Sequence, residues 1–534
     1  MGKIEPSPFL LRRFLLALAS AALLILSFPN FNQSRCAWIA LVPWLLLLHS
    51  AGPRQAFWWS YGIGVIFFLA SMWWLIHVTF VGWLLLCAFL ALYFGLFGWA
   101  LVAGGAWRRG ARARRRPDPD QLWGRIYFFW CVPALWVTLE YARSHLLSGL
   151  GWNLLAYSQA PWRQLIQIAD ITGVWGVSFI IVLVNVAIAE MGQAILWRKG
   201  RRTSDRDAIR TATAHLTCGI AALLVALGYG SWRISQSPAS PAVRVAVVQG
   251  NVPQEEKWEA AQREAILRRY ETLTLEAAST RPQLIVWPET AVPGYLDLDE
   301  FVTNRLHALV TSVGIPMLVG APMGRLDTDQ WRMTNSAALL DGSGVVSQRY
   351  DKLHLVPFGE FIPFERVMPW LRTSLPPIGD FSPGRHYTVF ATLHSELKFS
   401  VLICFEDLFP ELARRFVREG ARLLLVITND AWFGPSAAAY QHAQASTFRA
   451  VELRVPVVRA ANTGWSGCID PSGRWVGRVH DPAGAELFVT GTETCDLPAR
   501  PQGSFYLRSG DWFALLCLLV SAGWMGVRFL QQDI

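Results

Sequence analysis

Three residues in the second half of the chain carry side chains that together could break and remake an acyl bond. Glu289 lies in "QLIVWPET", Lys352 follows "GVVSQRYD", and Cys404 interrupts "KFSVLICFED". Each stretch reads as a strand, and the reactive groups of layered α/β proteins collect at strand ends and in the loops after them. A thiol must become a thiolate to attack, and a carboxylate can take its proton. Attack on a carbonyl puts negative charge on its oxygen, which a buried ammonium stabilises by about 3 kcal/mol. Pro288 fixes its own φ and restricts Trp287, so Glu289 is held on a stiff segment. A lone cysteine behind an apolar run is more often an inert buried thiol. A single Glu or Lys is more often a surface residue or half of an ion pair. Glu406 and Asp407 stand just after Cys404 and oppose its ionisation, and Lys352 is expected to offset both.

The elements that must position these residues fill 243–505. Strands are predicted over 243–251, 283–290, 315–323, 398–407, 422–430 and 455–462, with a hairpin around Asp341–Gly344. Helices are predicted over 259–278, 300–314 and 411–421, and again over "AAYQHAQASTFRAVELR". Strands alternating with amphipathic helices imply a layered α/β domain.

The rest of the chain has a different character. The 534 residues are 53% hydrophobic and 16% charged, with 26 Trp, a composition that points to a membrane. The net charge of +9 is concentrated in two short segments. Residues 106–125 hold seven Arg and two Asp, giving +5, and residues 198–210 hold five Arg, one Lys and two Asp, giving +4. Basic loops between apolar spans mark cytoplasmic loops rather than a nucleic-acid-binding face. Eight spans are predicted: Phe14–Ser34, Cys36–Pro53, two within Gln55–Trp107, Ile126–Leu139, Ile171–Ala189, Thr211–Trp232 and Trp512–Val527. Lys3, Arg12 and Arg13 precede the first, which is read as a retained helix rather than a cleaved signal peptide. With a cytoplasmic N-terminus, the basic loops all fall inside, and everything between spans seven and eight lies outside the cytoplasm. Glu140 and Arg143 are expected at the membrane interface, paired locally. Five of the eight cysteines lie in spans. Cys404, Cys468 and Cys495 lie in the exported part, so at least one thiol there is free; whether Cys468 and Cys495 pair is left open. No cysteine or histidine spacing suggests a metal, no cofactor is expected, and a monomer is the default.

The words around the three reactive residues add a resemblance. "VQGN", "VWPET", "YDKLHLVPFGE", "LICFED", "ITNDAWFG", "RAVELRVPVVRAANTG" and "SGCIDPSG" occur in order from about Val243 to Glu493. This domain resembles the nitrilase, or carbon–nitrogen hydrolase, superfamily, and the whole chain resembles the apolipoprotein N-acyltransferase family. The resemblance implies an eight-helix transmembrane bundle joined to a nitrilase-like αββα sandwich. The expected division is a membrane domain at 1–242, a periplasmic catalytic domain at 243–505, and a last helix with its tail at 506–534. It implies Glu289 as general base, Lys352 as oxyanion stabiliser and Cys404 as nucleophile. It adds Glu360 as a second carboxylate, Glu406 beside the nucleophile, and Trp258 on a loop near the substrate entrance. Phe405 stands where some relatives have Tyr, which leaves an aromatic packing role. Asn335 and Trp432 complete the candidates. The implied reaction moves an acyl chain, by resemblance the sn-1 chain of phosphatidylethanolamine, onto Cys404. The chain then passes to the α-amino group of a diacylglyceryl-cysteine at an apolipoprotein's N-terminus, in a bacterial inner membrane. The alternative is a membrane-tethered amidase or hydrolase that uses water. Residues 355–379, rich in Pro and aromatics, are expected to form a mobile lid over the site, and 148–162 a second amphipathic surface element.

Overall fold

A computed structural model describes residues 8–105, 119–198, 205–236, 242–327, 330–363, 365, 367, 370, 372, 380–392, 397–498 and 502–530. Residues 106–118 and 199–204 of the two Arg-rich segments and much of the expected lid, including Phe364 and 373–379, lie outside the described residues. The chain forms two compact units, Met1–Ser235 with Ser509–Ile534, and Gln236–Arg508.

The first unit is helical. Among the described residues, four helices are long and apolar enough to cross a membrane: Phe9–Ser27, Phe80–Ala103, Val174–Leu196 and Arg206–Ser235. The stretch expected as a second span is instead a 3₁₀ turn, Ser34–Trp38, followed by a seven-residue helix, Val42–Leu48. Pro43 in that helix's first turn supplies one reason for the break, since it tolerates a helix start but not an interior. Glu140 and Arg143 are buried in the last turns of the helix Pro119–His145. Glu140 Oε1 accepts the Leu155 N–H at 2.7 Å, and Arg143 donates to the Trp152 carbonyl at 2.7 Å. The segment they hold is not the surface element expected over 148–162, because residues 151–159 are buried. Its polar groups are satisfied inside the unit: the Ala156 N–H reaches Ser178 Oγ, and Gln159 reaches the Ser34 carbonyl. Satisfied in this way, an irregular backbone can be buried.

The second unit holds two six-stranded sheets. Its strands are β1 (Ala242–Gln249), β2 (Leu284–Val286), β3 (Met317–Asp327), β4 (Gln330–Leu340), β5 (Val346–Asp351), β6 (Phe390–Ala391), β7 (Lys398–Ile403), β8 (Leu423–Thr428), β9 (Val457–Ala461), β10 (Gly467–Ile469), β11 (Trp475–Arg478) and β12 (Gly491–Pro498). The orders are β12-β1-β2-β3-β4-β5 and β11-β10-β9-β8-β7-β6. In each sheet the three parallel strands (β1-β2-β3 and β7-β8-β9) are flanked by antiparallel neighbours. All six residues of β8 are buried, as are five of the six in β7, which is why both read as continuous apolar runs.

The sheets meet through β1 against β9 and β4 against β7, and helices cover the outer faces. The helices Arg263–Ser279 and Glu300–Val313 bury Ile266, Tyr270, Leu306 and Val310 against Ile285, Trp287 and Val319 of the first sheet. Trp287 is fully buried and satisfies its indole N–H on Thr274 at 2.9 Å. Pro410–Arg418 and Ala438–Leu453 cover the second sheet. The Cys468–Cys495 disulfide joins β10 in one sheet to β12 in the other. Cys404 remains a free thiol.

Candidate active site

The strands before the reactive residues end earlier than their apolar runs predict. β2 stops at Val286, and β7 stops at Ile403, after which Cys404–Leu408 turns as a 3₁₀ helix. Cys404 sits at φ 55° and Thr290, just after Glu289, at φ 47°. Both lie in the left-handed region that residues with a Cβ seldom occupy, so the surroundings must impose the conformation. Close packing supplies part of that constraint. A Cβ at Gly320 in β3 would lie 2.3 Å from the Pro288 carbonyl oxygen and 2.7 Å from Glu289 Cα, so only glycine lets the Glu289 turn rest on β3.

Glu289 reaches across to the second sheet. Its Oε2 accepts the backbone N–H of Asn429, just past β8, at 2.9 Å, and its Oε1 accepts Asn335 Nδ2 from β4 at 2.7 Å. Lys352 follows β5 and is 1% exposed. Its Nζ lies 2.9 and 3.0 Å from the two oxygens of Glu360, and 3.6 Å from Glu289 Oε1. Asn335 Nδ2 also donates to Glu360 Oε1 at 2.8 Å, and the Val356 N–H donates to Glu360 Oε2 at 2.8 Å. Asn335 is thus the hinge between the two carboxylates.

The electrostatics follow from this packing. Burial alone favours the neutral amine of Lys352, but Glu360, Glu289 and the Cys404 sulfur outweigh it and hold the ammonium above its usual range. Burial pushes the Cys404 thiol up, and the Glu289 charge adds to this. Lys352 and the Thr428 hydroxyl, which hydrogen-bonds the sulfur, pull the other way. A thiol in this setting ionises by handing its proton to a neighbour rather than to bulk water.

Glu406 is fully buried and ties the two turns together. It accepts the Ile403 N–H at 2.8 Å on the nucleophile's turn, and the Leu353 and His354 N–H groups at 2.8 and 3.0 Å on the lysine's turn. The Tyr350 hydroxyl, 2.9 Å away, completes its shell. Burial raises its carboxyl to about 7, against the pull of those backbone donors and of Lys352. Lys352 does not offset Asp407, contrary to expectation. Asp407 points away into a sealed cluster, where His442 Nε2 lies 2.8 Å and Arg459 3.2 Å from its oxygens. Phe405 packs edge-on against Phe409 at 5.0 Å between centroids, an aromatic contact that needs no hydroxyl. Trp258 and Trp432 are about half exposed.

Two features were missed in the sequence. Lys257, beside Trp258, is 3% exposed and donates to the Glu289 carbonyl at 3.2 Å; in a turn of polar residues no local signal marks it as buried. The cluster of Asp407, Asp430, His442 and Arg459 was also missed, although "YQHAQASTFRAVEL", a helix polar on every side, carried a hint of it.

Comparison with known proteins agrees in both halves. The carbon–nitrogen hydrolase family matches residues 244–491, and the apolipoprotein N-acyltransferase N-terminal domain matches 20–187. Apolipoprotein N-acyltransferase of Geobacter metallireducens is 37% identical, over 98% of this chain and 96% of its own. The chain belongs to the apolipoprotein N-acyltransferase family. The N-acyltransferase of Chlorobaculum tepidum is 30% identical over 96% of both chains. Among solved structures, a Nesterenkonia AN1 amidase from the nitrilase superfamily aligns at TM-score 0.38 and 20% identity, over 51% of this chain and 95% of its own. As an N-acyltransferase of this family, the protein is an acyltransferase of lipoprotein biosynthesis. Its apolar helices fit a membrane protein.

Proposed function

We propose that the enzyme carries an acyl group on Cys404 between two lipid substrates. Glu289 takes the Cys404 proton, and the thiolate attacks the sn-1 ester carbonyl of a phospholipid such as phosphatidylethanolamine. Lys352 faces the oxygen that gains charge. The ester C–O bond then breaks, Glu289 returns the proton to the leaving oxygen, and a lysophospholipid departs from a thioester. In the second half, the neutral α-amine of a diacylglyceryl-cysteine attacks the thioester carbonyl. Glu289 takes a proton from nitrogen, the C–S bond breaks, and Cys404 regains its proton as the amide leaves. An α-amino group has a pKa of about 8, so a useful fraction is neutral near pH 7.

The observation that carries this reading is the meeting of the strand ends. Glu289 is bonded to Asn429 beyond β8, lies 3.6 Å from Lys352, and is a charge neighbour of the Cys404 sulfur. An ammonium held by two carboxylates remains a cation throughout, as an oxyanion stabiliser must. Asn335, Glu360, Phe405 and Glu406 support the three reactive groups, while Trp258 and Trp432 contact substrate. The expected eight-span arrangement puts 1–242 and 506–534 in the inner membrane, where both lipid substrates reside, and 243–505 in the periplasm. Beside the four apolar helices, Pro53–Ser71, Pro119–His145 and Trp512–Leu530 have 19, 27 and 19 residues, near the ~20 that a bilayer requires by length alone; the eighth expected span is the stretch broken at Pro43, which holds only the shorter apolar segment Ser34–Leu48. The test is intact mass after incubation with phospholipid alone. One acyl chain should add to the wild type and none to Cys404→Ala, and an equal adduct on both would exclude the thioester.

A further inference from the structure

Lys257 lies in the turn between β1 and the helix Arg263–Ser279. Its neighbours Glu256, Trp258 and Glu259 are partly or largely exposed, yet Lys257 is 3% exposed. The turn is anchored from both sides: Val252 exchanges hydrogen bonds with the Asn462 side chain, and Gln254 accepts from Asn429 at 2.7 Å. Lys257 therefore points inward by construction. Burying an ammonium is costly unless it is paired. Among the described residues Lys257 forms no ion pair within 4.0 Å, and its hydrogen bond goes to the Glu289 carbonyl. The charges that reach it are the Glu289 carboxylate and the Cys404 sulfur. On its own turn the charged groups are Glu255, Glu256 and Glu259. Packing alone would be served better by Met.

We infer that Lys257 is a second positioning cation of the active site, fixing the main chain of Glu289 and offsetting the charge created when Cys404 ionises. The inference rests on the reading of Cys404 as nucleophile and Glu289 as base. Two ammoniums, Lys257 and Lys352, then face two carboxylates, Glu289 and Glu360, around a neutral thiol. When the proton moves from Cys404 Sγ to Glu289, the thiolate takes over the carboxylate's charge and the sum over these groups remains zero; Glu406, which also acts on Lys352, and Asp430, which also acts on Cys404, stand outside that sum and are unchanged by substitution at Lys257. Without the charge on Lys257, one negative charge is uncompensated before and after the step, and the thiolate faces one cation instead of two.

Burial pulls Lys257 down to about 8, with Glu289 and Cys404 holding it up. Its charge is therefore present below pH 8 and lost above it. The test uses full-length enzyme in detergent and iodoacetamide, which alkylates the thiolate, read by mass on the Cys404 peptide from pH 6 to 10. In the wild type the rate should rise with pH and bend to a shallower slope near 8, where the cation is lost. Lys257→Met should react about tenfold more slowly at pH 7, one unit of thiol pKa, with no bend. Lys257→Arg should keep the rate at pH 7 within about threefold, and its rise should pass through pH 8 unbroken, since guanidinium does not titrate there. Wild-type rate and bend in Lys257→Met would overturn the inference. Should that variant not fold, a bend persisting at pH 8 in Lys257→Arg would do so. Acyl transfer by Cys404→Ala is measured alongside: its survival would refute the nucleophile assignment itself, a failure separate from any result at Lys257.

Discussion

The catalytic unit contains two groups of four charges, and they are built differently. Glu289, Glu360, Lys352 and Lys257 surround the thiol; Asp407, Asp430, His442 and Arg459 lie beneath it. In the lower group every member is at most 2% exposed and the carboxylates are saturated. Asp407 receives His442, Ser446 and Arg459 at 2.8, 2.5 and 3.2 Å, and Asp430 receives His442, Thr428 and Arg459 at 3.0, 3.1 and 3.1 Å. The upper group is incomplete. Lys352 stands 3.6 Å from Glu289, and among the described residues Lys257 bonds only a carbonyl. Saturated carboxylates fix geometry, whereas cations left partly unpaired keep capacity for charge that appears during reaction. The two groups meet around Cys404: its carbonyl lies 3.2 Å from His442 Nε2, and Asp430 is a charge neighbour of its sulfur. The lower group thereby holds the left-handed residue that the upper group uses.

This contrast predicts that substitutions above act on rate and substitutions below act on stability. The largest effect is expected for Cys404→Ala and Glu289→Gln, each lowering acyl transfer to a lipopeptide by about 10³-fold or more with little change in thermal unfolding. A large loss of Tm in Glu289→Gln would place it in the lower class. Glu406→Gln comes next. The amide sets an NH₂ against the N–H groups of Ile403 or of Leu353 and His354, loosening both turns, and kcat should fall by about 10²-fold, as for a misplaced catalytic group. Unchanged kcat would show that the turns hold without it.

For the lower group the readout is pH. Burial lowers His442, but Asp407 and Asp430 outweigh burial and the opposing Arg459 charge and raise it to about 9. Its stabilising contribution is therefore complete below the unfolded value of about 6.5 and is lost as pH rises through 9. Asp430 is held down at about 2 by Arg459 and His442 against burial, so its contribution is lost only in strong acid. Tm of the full-length protein in detergent should fall between pH 6.5 and 9, and His442→Gln should start lower and show a flatter profile. Identical slopes in the two proteins would remove His442 from the account.

The sequence made the upper group largely legible and the lower one hardly at all. Glu289, Lys352 and Cys404 each end a strand-forming stretch, and short words around them name their neighbours. The layered order of strands and helices followed from periodicity. Strand ends were misjudged, because the apolar run through Phe405 continues past the point where Cys404 turns left-handed. What periodicity does not register is direction. Asp407 was grouped with Glu406 on adjacency, yet they face opposite sides of one 3₁₀ turn. β12 was missed for a similar reason, since it is set by β1, distant in sequence, whereas the break at Pro43 is a local signal that the apolar run around it masked.

The smallest effect tests the comparison within a single turn. Lys257 and Trp258 are adjacent, one 3% and the other 53% exposed. If buried charges govern ionisation, the exposed indole can act only on what arrives from outside. An aromatic ring of this size contributes about 1–3 kcal/mol of apolar contact when covered. Trp258→Ala should therefore raise KM for the lipid substrate by about tenfold, leave kcat within about threefold, and leave the alkylation rate of Cys404 unchanged at every pH. Lys257→Met should do the reverse, moving the alkylation profile while leaving KM close to the wild type. If Trp258→Ala instead lowered kcat and slowed alkylation together, the turn would act as one body, and burial would not separate the residue that meets the substrate from the one that sets the charge.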